Sequence, residues 1–219
     1  MAHEPRADSA ALERDKRAAL ALTPVSRETE ERLDVFVALL LTWQRTINLI
    51  APATVAHVWT RHVADSLQLI RHAPDARTWL DLGSGAGFPG LALACALPSG
   101  SHVHLVESDS RKAAFLREAG RITAAPVSVH AVRIENVAED LRVDMVTARA
   151  VAPLYRLLDY GASFLERGAQ ALFLKGQDVE AELTEAAKSW HMEAELLPSV
   201  TESRSRIVRV RAARSLRLR

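Results

Sequence analysis

A single cysteine, Cys95, stands in 219 residues, which excludes an internal disulfide framework and a cysteine-based zinc cluster and makes a reducing cytoplasm the expected compartment. Long apolar runs are missing as well. The run near the N-terminus, Val35 to Leu41, falls far short of the ~20 residues that span a bilayer, and residues 1–20 hold no signal-peptide core, so neither membrane insertion nor secretion is expected. Net charge is close to nil, +1 at pH 7, and gives the chain as a whole no preference for an acidic or a basic partner. His57 and His62 stand five apart with no third ligand at metal spacing, so no metal is expected. Internal repeats and low-complexity linkers are absent too.

What the sequence does have is 48% apolar content, enough for a sizeable core in one domain with an extension. Residues 1–25 are expected to be a flexible N-terminal extension, although Ala10 to Leu22 has helical composition that Pro24 stops. Residues 26–219 are expected to form a single domain, with 26–75 as a helical cap, and a monomer is expected. Ser26 opens one amphipathic helix on which Leu33, Phe36, Val37, Leu40 and Leu41 recur at helical spacing. Thr54 to His72 predicts a second helix, with Val55, Val58, Trp59, His62 and Val63 on one face. Strands and helices then alternate: a strand ending near Leu82, one over 101–107, a helix over 110–122, a strand over 127–132, a strand over 144–148, a helix over 154–165, a strand over 169–175 and a helix over 179–190. That order predicts an α/β fold with a doubly wound, mostly parallel sheet. His191 to Leu197 and Arg206 to Val210 supply two closing strands, antiparallel at the edge. Seven arginines without an acid stand between Arg204 and Arg219, a concentration suited to a phosphate backbone or left as a solvated terminus.

The stretch Thr78 to Gly90 organises the rest. A short apolar strand runs into a glycine cluster, and Leu91 to Leu97 returns as a helix along the sheet. Gly83, Gly85 and Gly87 remove Cβ atoms from the strand-to-helix turn and let a ligand approach the backbone. Two cofactors compete for such a turn. Gly85 to Gly90 fits the dinucleotide pattern, but the glycine that directly follows the strand is Gly83, and its sixth position is then Phe88. In the frame acid-x-Gly-x-Gly-x-Gly, Asp81 to Gly87 suits S-adenosylmethionine, whose ammonium Asp81 can face directly or through water. Glu107 ends the next strand near the ~20-residue spacing of a carboxylate that accepts from ribose hydroxyls. Capping and packing is the plainer reading of His62 and Asp65, one turn apart on the cap helix.

Ligands of such sheets sit at the carboxyl ends of the strands. Glu135, with Ile134 beside it, follows the third strand where it would flank a base. Arg149 ends the fourth strand and Lys175 the fifth, so two cations face one crevice, placed for a substrate phosphate or a cofactor carboxylate. His62 is a third candidate substrate contact. Methylation of an exocyclic amine often uses an Asn/Asp-Pro-Pro-aromatic turn after the fourth strand, and here Ala148-Arg-Ala-Val151 stands instead. Cytosine C5 methylation needs a nucleophilic cysteine, whereas Cys95 lies in an apolar helix. Guanine N7 needs no proton removed, and no base is evident.

Asp81-Leu-Gly-Ser-Gly-Ala-Gly-Phe-Pro-Gly90, Asn48-Leu-Ile50, Arg61-His-Val-Ala-Asp-Ser66, Thr147-Ala-Arg-Ala150 and Leu174-Lys-Gly176 together resemble the bacterial 16S ribosomal RNA guanine-N7 methyltransferases, also called the glucose-inhibited division protein B family. The resemblance covers about residues 30–210. It implies a Rossmann-like class I methyltransferase fold and methyl transfer from S-adenosylmethionine to a guanine in the decoding-region loop of 16S rRNA, on free rRNA or the small ribosomal subunit. It also implies Gly83, Phe88, Ile134, Glu135 and Arg149 as cofactor contacts. A dinucleotide-dependent oxidoreductase and a non-catalytic RNA-binding module on the same fold remain as alternatives.

Overall fold

The computed structural model describes residues 9–216 except Glu139. Helix α1 (Ser9–Leu22) is followed by α2 (Arg27–Trp43), whose start is fixed by the Ser26 side chain accepting from Thr29 N at 3.2 Å. Leu33, Phe36, Val37 and Leu40 form the buried stripe of α2, as their spacing predicts. Past α2, the Gln44 side chain ties the loop by bonding Leu49 N, Ile50 N and Ile50 O at 2.9 to 3.0 Å.

Two expectations about this region are corrected. Helix α1 is docked, with Ala19 fully buried and Asp15 8% exposed, so residues 9–22 are part of the folded unit and not a flexible extension; residues 1–8 lie outside the described residues. The reason is that α1 carries both an apolar contact and a buried acceptor for another segment's backbone. The single helix expected over 54–72 is four short pieces: a 3₁₀ helix (Pro52–His57), a π-helix (Trp59–Ala64), a turn of α-helix, α3 (Asp65–Leu67), and a 3₁₀ turn (Ile70–His72). Side-chain periodicity reports which face is apolar but does not report which carbonyl each N–H chooses.

The sheet then begins with β1 (Thr78–Leu82), α4 (Gly90–Ala96), β2 (His102–Val106), α5 (Ser110–Thr123), β3 (Val127–His130) and β4 (Met145–Arg149). It continues through α6 (Leu154–Glu166), β5 (Gln170–Lys175), α7 (Val179–Ala186), β6 (Trp190–Pro198) and β7 (Arg206–Ser215). Strand order is β3-β2-β1-β4-β5-β7-β6, with β7 antiparallel to both its neighbours and the other pairings parallel. This is the doubly wound, Rossmann-like arrangement, with its direction of winding reversing between β1 and β4. β1 is buried on both faces: Trp79 joins the core under α2, α4 and α5, while Leu80 and Leu82 join the one under α6 and α7. The terminal arginines are also placed: Arg206, Arg209, Arg211 and Arg214 are residues of β7, paired in the sheet and not a solvated tail. Arg217 and Arg219 lie outside the described residues. Among the described residues no helix is long and apolar enough to cross a membrane.

Candidate functional site

A cavity of about 700 Å³ opens at the carboxyl ends of β1, β2, β4 and β5, where reversal of winding leaves a crevice. The glycine turn forms its floor. Ser84 N donates to Val106 O at 2.8 Å and Gly87 N to Ser84 O at 2.7 Å, closing the turn against β2. Gly83 and Gly85 have φ of 69° and 54°, the left-handed region that favours glycine. Their surroundings differ. A Cβ on Gly83 would lie 2.6 Å from Val151 Cγ2, whereas one on Gly85 would meet only Gly83 O at 3.8 Å. Gly85 is therefore where the turn is bare toward the cavity.

Glu107 stands at the end of β2 and lines the cavity. One carboxylate oxygen accepts from Gly85 N at 2.9 Å and the other from Asp109 N at 2.7 Å. It thus grips the turn while keeping further lone pairs, since a carboxylate accepts at about four sites. Ile134 lines the cavity; Glu135, beside it, is exposed and outside the lining.

Asp81 corrects its sequence reading. It is fully buried and does not line the cavity; its Oδ2 accepts from Gly90 N at 3.1 Å and its Oδ1 from Thr147 Oγ1 at 3.1 Å. It faces the first turn of α4 instead of an ammonium group. Burial, opposed by the hydrogen bonds from Ser84, Gly90 and Thr147, pushes its pKa up to about 6. Gly90 has to be glycine for this, because a Cβ there would stand 2.6 Å from Asp81 Oδ2 and 2.4 Å from Leu105 Cδ2. Gly87 also turns to the protein, where a Cβ would meet Leu91 and Phe36.

The opposite wall comes from the cap and β4. Phe88, 3% exposed, packs on Phe36 with ring centroids 5.1 Å apart and stacks on His62, also at 5.1 Å. The Arg149 guanidinium lies 5.3 Å from the Phe88 centroid, donates to Arg61 O at 3.1 Å and sits 3.7 Å from Asp65 Oδ2. Lys175 lines the cavity, but its ammonium is held by Glu182 at 2.6 Å and by Ala152 O at 3.0 Å. His62 is kept neutral: burial first, then Arg149 and Arg61, push its pKa down to about 3. Its Nε2 pairs with Thr54 Oγ1 at 2.9 Å, and because that hydroxyl donates to Ala51 O, the ring carries its proton on Nε2. Two lining cations were missed in the sequence. Lys112, in the first turn of α5, follows Glu107 closely enough to have been found from strand-end placement; Arg61 gave no signal apart from its motif.

Residues 29–209 match the family described as rRNA small subunit methyltransferase G. A protein of that name from Bradyrhizobium sp. (strain BTAi1 / ATCC BAA-1182) is 59% identical over 200 residues, 90% of each chain. Another from Rhodopseudomonas palustris (strain BisB18) is 58% identical over 92% of this chain and 88% of its own. Among solved structures, a mutant of MtNAS in complex with S-adenosylmethionine has a TM-score of 0.56 at 13% identity, covering 94% of this chain and 80% of that one. TrmN from Thermus thermophilus scores 0.55 at 18% identity, over 68% of this chain and 48% of its own. At such identities the structures carry the fold alone, but the sequence matches go further: the chain belongs to the rRNA small subunit methyltransferase G family.

Proposed function

We propose that this protein transfers the methyl group of S-adenosylmethionine to N7 of a guanine in the decoding-region loop of 16S rRNA. The observation that carries the cofactor choice is Asp81. A dinucleotide places its pyrophosphate at the N-terminus of the helix behind the glycine turn. Here that position already receives a buried carboxylate, which repels phosphate. The residues fit an adenosylmethionine instead: bare backbone at Gly85, the Glu107 carboxylate for a ribose diol, and Ile134 as an apolar contact for the base. When bound, S-adenosylmethionine supplies a methyl group made electrophilic by the sulfonium.

The chain's own residues then hold the guanine beside it. Arg61, Arg149 and Lys112 line the cavity and can meet a nucleotide's phosphate, Arg61 from an ion pair with Glu202 and Arg149 from one with Asp65. No side chain has to take a proton from N7, whose lone pair is free on the base edge. Labelled-methyl transfer to rRNA, small subunits and assembly intermediates, with the modified atom mapped, tests the reading; a methyl on any other atom or base overturns it. Single-turnover rates are expected to be flat from about pH 7 to 9. His62, with its pKa lowered to about 3, is neutral throughout that range and adds no limb. A tenfold rise per pH unit that His62→Ala abolishes is the outcome that contradicts N7 chemistry.

Glu107→Ala is expected to weaken S-adenosylhomocysteine binding at least about tenfold, from the loss of charge-assisted hydrogen bonds to the ribose and of the grip on Gly85 N. Calorimetry checks it. Weakening of no more than about twofold would assign Glu107 to the turn alone.

A further inference from the structure

The cap wall of the cavity rests on α1, a helix that precedes the family match at 29–209. Its Asp15 crosses to a segment 44 residues away: Oδ2 accepts from Trp59 N at 2.8 Å and Thr60 N at 3.3 Å, and Oδ1 from Thr60 Oγ1 at 2.6 Å. These N–H groups lie where the 3₁₀ helix gives way to the π-helix, a changeover that interrupts the regular backbone ladder. No local side chain caps the π-helix; Asp15 does so from a distance. The next residues are Arg61 and His62, both lining the cavity, and Asp65 follows, facing Arg149. Lys16, Asp15's neighbour, pins α1 from the other side, reaching Asp34 at 2.7 Å and Glu30 at 2.8 Å on α2 and lying 5.3 Å from the Trp59 ring centroid. The remaining titratable group at Asp15 is the exposed His57, 4.0 Å from its Oδ1.

We propose that Asp15 is a positioning residue for RNA methylation: by capping the π-helical segment it fixes where Arg61 and His62 stand along the cap wall, and so how the RNA is held. The proposal rests on the methyltransferase reading above and extends it to a residue that no part of the glycine-turn site requires. The floor has a support of its own: Gly83 and Gly85 follow β1, Glu107 ends β2, and Glu107 holds the turn through Gly85 N. Floor and wall meet at Phe88, which stacks on His62 and packs on Phe36 of α2. Loss of Asp15 is therefore expected to act first on the RNA side, at Arg61 and His62, with the Glu107 grip on the turn left in place.

Steady-state methylation of rRNA by the full chain, with S-adenosylhomocysteine calorimetry and thermal unfolding on the same samples, tests it. Asp15→Ala is expected to raise KM for RNA about tenfold, the scale of a lost helix cap. Its S-adenosylhomocysteine affinity should stay within about twofold of wild type, as for independent sites. Asp15→Asn retains a side-chain oxygen for the two backbone N–H groups and is expected to recover most of the RNA KM. An unchanged KM in Asp15→Ala overturns the proposal. So does a parallel loss of RNA and S-adenosylhomocysteine affinity with a lowered unfolding temperature, or an Asn variant no better than Ala. The wild-type arm distinguishes the two levels: absence of transfer to RNA overturns the methyltransferase reading and this proposal with it, whereas normal wild-type transfer with equal KM values overturns Asp15 alone.

Discussion

Gly85→Val is expected to fold and yet show no measurable S-adenosylhomocysteine binding. Two effects add at this position. A non-glycine residue in the left-handed region costs about 1–2 kcal/mol, and a β-branched one fits it worst. The two γ-methyls also enter the hollow that the bare backbone leaves open, since the nearest atom to a Cβ there is Gly83 O at 3.8 Å. Gly85→Ala separates the two contributions. Ala124 and Ala150 already adopt φ of 50° and 54° in this chain, so alanine at 85 is tolerated and meets no protein atom closely. Its binding is expected to fall by about tenfold or less, the scale of that backbone strain alone. Calorimetry on samples matched in unfolding temperature reads both. Wild-type affinity in Gly85→Val would move the ligand away from this turn.

The second large effect is expected at Arg149. Arg149→Ala removes the cation that faces Asp65 at 3.7 Å, covers the Phe88 ring and donates to Arg61 O. Burial already raises the Asp65 pKa against the pull of Arg149, Thr201 and Arg61, so removing the arginine takes the cation from Asp65 Oδ2 while Thr201 and Gln68 still donate to its Oδ1. Breaking a buried pair from one side costs about 3 kcal/mol or more. Separately from that stability cost, transfer should drop about a hundredfold or more at every pH from about 7 to 9, because the cavity wall loses the guanidinium over the Phe88 ring and its bond to Arg61 O, and arginine stays protonated throughout. Arg149→Lys should not restore it, since a point charge cannot both lie along the ring and reach the Arg61 carbonyl. Asp65→Asn in the Arg149→Ala background is expected to return stability without returning transfer. If the double variant recovers transfer as well, Arg149 acts only by neutralising Asp65.

The glycine turn was legible because its pattern is local. Strand, glycines and returning helix follow one another in sequence, and Gly83, Gly85 and Glu107 come together as their spacing implies. The alternation of strands and helices carried the sheet for the same reason. Asp81 was misplaced because sequence gives its position on β1 and not its side: it shares Trp79's face, beneath α4, and points away from the cavity. Ile134 and Glu135 share a 3₁₀ turn, in which Ile134 lines the cavity and Glu135 is exposed beside it, a difference between neighbours that strand-end spacing does not report. The cap was least legible. Residues 54–72 have the apolar face of one helix, but their backbone ladder changes type three times, and what holds the change is Asp15, whose pairing no local pattern signals.

The place of β7 in the sheet bears on how the protein is made. This strand, the last of the described residues, lies between β5 and β6, pairing Ala171 to Lys175 on one side and Trp190 to Pro198 on the other. Its Ile207, Val208 and Val210 are fully buried, Ile207 under one face and the two valines under the other. A nascent chain that has not yet released these residues holds β5 with an open edge and β6 with no strand to pair with. The sheet closes only when residues 206–215 have emerged, after every other strand. A premature stop between β6 and β7 would thus expose a hydrophobic strand edge of the kind that recruits other chains, making such products candidates for aggregation and degradation instead of shortened enzymes.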